Sequence, residues 1–173
     1  MRALIAALAL AGACRPTPAA PAAPSAPAAP HRDELVGQLA PAFASPAVGS
    51  AGSVALADLA GHVVVVDFWA SWCAPCAAAV PYLDAWQHAY AARGLRVVGI
   101  SSDDDDGDIA RYAAAHQIAF AVARDDGDKI ATAYRVAALP TLVVIDKQGV
   151  VRYVDVGGRD FAALEAAVVR LLQ

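Results

Sequence analysis

Lysine is nearly missing from this chain: among 173 residues only Lys129 and Lys147 occur, and nowhere do Lys and Arg gather into a cluster. With 13 Lys+Arg against 17 Asp+Glu, the formal net charge is −4 and the sequence pI is near 5.4. Nucleic acid is held through a basic footprint, so a nucleic-acid partner is excluded. Long apolar runs are missing too. No stretch reaches the roughly 18 residues that a transmembrane helix needs, although hydrophobic content is 58% and mean hydropathy is +0.46. Much of that content is alanine, which forms helix readily and buries little area per residue. Cysteine is scarce: Cys73 and Cys76 make one close pair, and Cys14 stands alone near the start. The length suits one domain with a real core plus a tail.

Three regions differ in composition. Met1-Arg2, an apolar run from Ala3 to Ala11, and Gly12-Ala13-Cys14 form a positive segment, a hydrophobic segment and a small-residue cleavage site, the layout of a secretory signal over residues 1–14. The segment L-A-L-A-G-A-C resembles a bacterial lipobox, with Ala11 where that pattern usually has Leu. That resemblance implies lipidation of Cys14 and anchoring to a membrane. Residues 15–33 are mostly Pro and Ala up to Pro30. Such a segment favours extended polyproline conformations and reads as a tether reaching up to about 50 Å. Residues 34–173 are the expected folded domain.

The domain is organised around V-V-V-V-D-F-W-A-S-W-C-A-P-C at Val63 to Cys76. The β-branched run from Val63 to Asp67 predicts a strand buried on both faces. Cys73 and Cys76 are three apart, so a helix beginning at Cys73 places both sulfurs on one face of its first turn, close enough to bridge. A helix start favours thiolate over thiol, which makes Cys73 the candidate nucleophile. Pro75 fits the first turn, where the N–H it lacks would have no partner.

Around this centre, Ala40 to Phe43 and Ser53 to Leu56 predict an edge hairpin. Residues 74–93 predict a helix with Val80, Leu83, Trp86 and Tyr90 inward, bent at Pro81 and closed by Gly94. Leu95 to Ile100 is the next strand, parallel to the first. The run Asp103 to Asp108 lacks the bidentate acid of a calcium loop, since Ala113 stands at the twelfth position. It predicts a solvated loop whose Asp108 caps a helix running to His116. A strand at Ala119 to Val122, a helix at Gly127 to Tyr134, a hairpin of Leu142 to Ile145 with Val150 to Val156, and a terminal helix capped by Asp160 complete the domain. The pattern is α/β, a central mixed β-sheet flanked by helices on both faces.

Four features in order, D-F-W-A-S-W-C-A-P-C, Pro81, L-P-T at Leu139 to Thr141 and V-V-I-D-K-Q-G at Val143 to Gly149, resemble the thioredoxin superfamily. Within it the chain is similar to exported, membrane-tethered thiol-disulfide oxidoreductases of the TlpA/ResA type. The resemblance implies a thioredoxin-like fold in which Cys73 attacks, Cys76 resolves, Pro140 is a cis-proline and Asp67 is the buried acid that takes the proton of Cys76. It implies a substrate surface at Trp72, Ala74, Pro75, Leu139 and Thr141. It implies no cofactor and no metal beyond the redox-active disulfide, a monomer, protein disulfide substrates such as apocytochrome c, a membrane thiol donor for a reductase, and a periplasmic location. The chain departs from the pattern in having no lysine placed to pair with Asp67.

Two other functions use the same fold. A peroxiredoxin-like peroxidase wants a cysteine held by Thr or Ser and Arg, of which Ser71 beside Cys73 is a faint echo. A copper chaperone wants C-x-x-x-C with a distal His, whereas this chain has C-x-x-C and His31, His62, His88 and His116 scattered.

Overall fold

The computed structural model describes residues 32–173. In chain order these form α1 (Arg32–Leu35), β1 (Ala44–Pro46), β2 (Ser53–Ala55), β3 (Val63–Trp69), α2 (Val80–Tyr90), β4 (Leu95–Ser101), α3 (Asp106–Ala115), β5 (Ala121–Arg124), α4 (Lys129–Ala133), β6 (Thr141–Ile145), β7 (Val151–Val156) and α5 (Phe161–Leu171). The expectations for the signal, Cys14, His31 and the tether as far as residue 31 lie outside the described residues, and α1 takes in Arg32 and Asp33 of the expected tether.

β3 is buried at every position, and it lies at the centre of a mixed sheet of order β5-β4-β3-β6-β7. Its neighbour β4 runs parallel, as the intervening helix requires, and β6 runs antiparallel. Alternation along β3 divides the core. Val63, Val65 and Trp69 pack with Leu83 and Trp86 of α2, Ile109 of α3, and Leu164 and Val168 of α5. Val64, Val66 and Phe68 face the other way, against Leu35, Val54, Ile130 and Tyr134. Helices therefore cover both faces. Both sheet edges are also occupied. Gly37 donates to the carbonyl of Val151 of β7 and Ala40 to that of Gly149 just ahead of it, and Val48 donates to Val122 of β5, which shields the unpaired edge groups.

Several boundaries depart from the pattern read along the chain. The helix expected over 74–93 is three pieces: a 3₁₀ turn at Ala74–Ala78, α2, and a 3₁₀ turn at Ala91–Arg93 ending at Gly94 with φ of +98°. Pro81 does not bend α2. It sits in the helix's first turn, and the break falls ahead of it, because proline offers Ala77 no N–H and crowds that carbonyl. β1 starts at Ala44 rather than Ala40, since residues 37–40 are engaged with β7. β5 starts two residues late, because Ala119 N–H is taken by the Asp84 carboxylate at 3.0 Å. α4 is shorter than expected, as Gly127 at φ +68° interrupts the first turn.

The cap of α3 is Asp105, not Asp108. The Asp105 carboxylate accepts from Gly107 N at 2.8 Å and Asp108 N at 3.1 Å, two of the donors that a helix start leaves unpaired. Asp108 lies inside the first turn and pairs with exposed Arg111. In urea unfolding, Asp105→Ala is expected to cost about 1 kcal/mol, and Asp108→Ala no more than about 0.5 kcal/mol. Equal losses would remove the assignment.

Candidate active site

The parallel pairing of β3 with β4 brings their C-terminal ends side by side, Trp69 opposite Ser101. The chain leaves β3 there, and two residues past β4, Ser102 and Asp103, hold the exit. Ser102 N–H donates to Trp69 carbonyl at 2.9 Å. The carboxylate of Asp103 accepts from Ser71 N at 2.8 Å, Ser71 Oγ at 2.6 Å and Ser101 Oγ at 2.6 Å. Asp103 is buried, so it clamps the turn that carries Trp72 and Cys73. Pattern reading missed it, because it heads a run of acids that otherwise face water; its only signal was its place just past a buried strand.

Cys73 and Cys76 are joined as a disulfide, with the sulfurs 2.00 Å apart and the Cα atoms 5.3 Å apart. Cys73 retains 6% exposure and lines an open groove of about 820 Å³; Cys76 retains 1% and does not line it. Trp72, Ala74 and Pro75 form one wall with Cys73, and Leu139 with α4 residues forms the other. The two tryptophans just ahead of Cys73 separate: Trp72 is 70% exposed beside the disulfide, whereas Trp69 is core. Trp69 Nε1 occupies the space a side chain at Gly99 would need, 2.8 Å from an ideal Cβ there.

The Leu139–Pro140 peptide is cis. Gly157 N–H donates to the Pro140 carbonyl at 2.7 Å, and Gly158, at φ +59°, leaves room for the proline ring, 3.2 Å from where a Cβ would stand. Thr141 departs from the expected substrate surface. It is buried, and its Oγ1 donates to the Ala138 carbonyl at 2.7 Å, so it braces the loop from behind.

Asp67 sits between Val65 and Trp69 on β3, which turns it toward the core layer that holds Cys76. It is 1% exposed, its Oδ1 has no hydrogen-bond partner, and burial pushes its carboxyl up to about 7. Among the described residues no cation offsets that burial, and Lys129 is paired with Asp126. Tyr112 of α3 adds a group the sequence did not single out. Its ring lies 4.8 Å from that of Trp69, its hydroxyl is buried without a partner, and burial followed by the charges of Asp67 and Asp103 raises its pKa.

A bonded cysteine pair beyond the end of a central strand, with the residue ahead of a cis-proline lining the same groove, on a five-stranded mixed sheet, defines a thioredoxin-fold dithiol protein. Comparison with known proteins narrows the class. The chain belongs to the AhpC/TSA family, whose model matches residues 36–154. It is 31% identical over 118 residues to the thiol-disulfide oxidoreductase ResA of Bacillus thuringiensis, with 68% of each chain covered. Protein DipZ of Mycobacterium bovis is 34% identical over 122 residues, which are 68% of this chain and 18% of DipZ. Among solved structures, a Chlorobium tepidum protein assigned as a thiol:disulfide interchange protein DsbE superposes with a TM-score of 0.76 at 38% identity, covering 80% of this chain and 98% of its own. The chain is a thiol-disulfide oxidoreductase of the ResA type.

The buried acid makes stability depend on pH. With its folded pKa raised from 3.8 to about 7, Asp67 keeps a proton in the folded state that the unfolded chain releases above about pH 4. Its contribution is therefore full below pH 4 and lost as pH rises to 7, on the order of 4 kcal/mol at about 1.4 kcal/mol per unit. Denaturant unfolding of the oxidised proteins is expected to give similar stabilities for wild type and Asp67→Asn at pH 4, and a more stable variant at pH 8. Parallel pH profiles would contradict this.

Proposed function

We propose that the protein is an exported, membrane-tethered reductase of protein disulfides that works through Cys73 and Cys76. The observation that carries this reading is the asymmetry of the pair, Cys73 on the groove and Cys76 beneath it. In the reduced protein, the Cys73 thiolate attacks one sulfur of a substrate disulfide. A mixed disulfide forms, and one substrate thiolate leaves. Asp67 takes the proton of Cys76, whose thiolate then attacks the Cys73 sulfur. The second substrate thiolate departs, and the Cys73–Cys76 disulfide remains, so the substrate gains the two electrons that the pair loses. Thiol donation from a membrane protein restores the dithiol. No cofactor and no metal takes part.

The groove supports an extended substrate segment lying between Trp72, Ala74 and Pro75 on one side and Leu139, ahead of Pro140, on the other. Apocytochrome c is a fitting substrate by likeness to ResA-type proteins. Export, a periplasmic location and anchoring through Cys14 rest on the layout of residues 1–14, and the monomer remains part of this reading. Among the described residues no helix is long and apolar enough to cross a membrane, so a tether would be the means of attachment. Among the described residues lining the groove there is no Arg and no His, the partners that the peroxidase and copper-carrier readings call for.

Cys76→Ser is expected to accumulate mixed disulfides with envelope proteins, visible on non-reducing gels and released by dithiothreitol, while Cys73→Ser accumulates none. A reduction potential at or below about −250 mV fits an electron donor, and one above about −180 mV would overturn the direction assigned. Cys14→Ser is expected to move the protein from the membrane fraction to the soluble one.

A further inference from the structure

Among the described residues that line the groove, one besides Cys73 is ionisable, Asp128; the rest are apolar or, at Ser102 and Thr132, polar and neutral. Asp128 is exposed, and among the described residues no ion pair or hydrogen bond engages its carboxylate. It caps nothing, although it directly precedes α4. Lys129, the next residue in the chain, pairs elsewhere: its Nζ lies 3.2 Å from Asp126. Nor does the backbone call for an acid. Asp128 has φ of +53°, after Gly127 at +68°, and Gly or Asn accommodates that left-handed turn as well as Asp or better. The charge is thus accounted for by neither folding nor pairing, and it stands on the wall that faces an incoming chain.

A segment laid into the groove displaces water from that carboxylate. A neutral or acidic segment then leaves the charge unpaired or repelled, whereas Lys or Arg supplies a charge-assisted hydrogen bond. We infer that Asp128 selects, among protein disulfides, those whose attacked cysteine lies in a cationic segment. This rests on the reading of the groove as the substrate site.

The test uses the dithiothreitol-reduced protein and peptides whose single cysteine is capped as a disulfide with thionitrobenzoate, so that reaction is read by absorbance. Three peptides differ only in Lys, Gln or Glu on both sides of the cysteine. Two opposed contacts at close range in water lead to an expected Lys-over-Glu preference of about tenfold in rate constant at low salt, shrinking toward unity at 1 M salt. Asp128→Asn is expected to cut the preference to about twofold, and Asp128→Lys to invert it; circular dichroism verifies that both fold. Asp58→Asn removes the same charge outside the groove and is expected to keep the wild-type ratio. An unchanged ratio in Asp128→Asn, or an equal fall in Asp58→Asn, overturns the assignment. If the wild type reacts with the Gln peptide no faster than Cys73→Ser does, the reading of the groove fails first.

Discussion

Withdrawal of β3 from water on both faces is the constraint on which the site depends. Each fully buried valine in Val63 to Val66 contributes about 1.5 to 3 kcal/mol, so two of them offset the stability lost between pH 4 and pH 7 because buried Asp67 resists ionisation, on the order of 4 kcal/mol. The strand can therefore carry an acid inward without losing the fold. Held between parallel β4 and antiparallel β6, it also delivers Trp69 to Cys76 to one place, the end of the sheet where β4 terminates as well.

From that point the site is assembled by polar contacts between segments distant in the chain. Asp103 fastens Ser71 to the end of β4. The loop at Pro140 is fixed from behind by Thr141 and from the side by Gly157. The two halves of the groove are thus positioned independently, one by the turn after β3 and the other by the lead into β6. Cys73 meets the groove between them, while Cys76 and Asp67 stay on the dry side. One sulfur exposed to a partner and one reserved beneath it is the asymmetry that thiol-disulfide exchange uses.

Much of this was legible along the chain. The buried strand, the adjacent cysteines, the βαβ connection and the closing hairpin each follow from local pattern, because strand burial and thiol spacing are properties of a few neighbouring residues. The misplaced features share a cause. Pro81 reads as a kink when counted within one long helix, yet the helix restarts just before it. Asp108 is as good a cap by composition as Asp105, and only the turn's geometry decides which carboxylate reaches the free N–H groups. Thr141 directly follows the cis-proline in sequence but is buried and braces the loop from behind.

By itself the sequence determined the fold class, the central strand and the redox pair, since hydrophobic periodicity and cysteine spacing act over short range. The resemblance pointed to Asp67, but the tertiary structure decided what becomes of each acid. Asp67, Asp103 and Asp128 belong to the same residue type, but one is stranded in the core, one is spent as a clamp, and one is left unpaired on the groove. Those fates depend on what packs against each carboxylate from remote parts of the chain, because desolvation and hydrogen bonding are set by surroundings that no local pattern encodes.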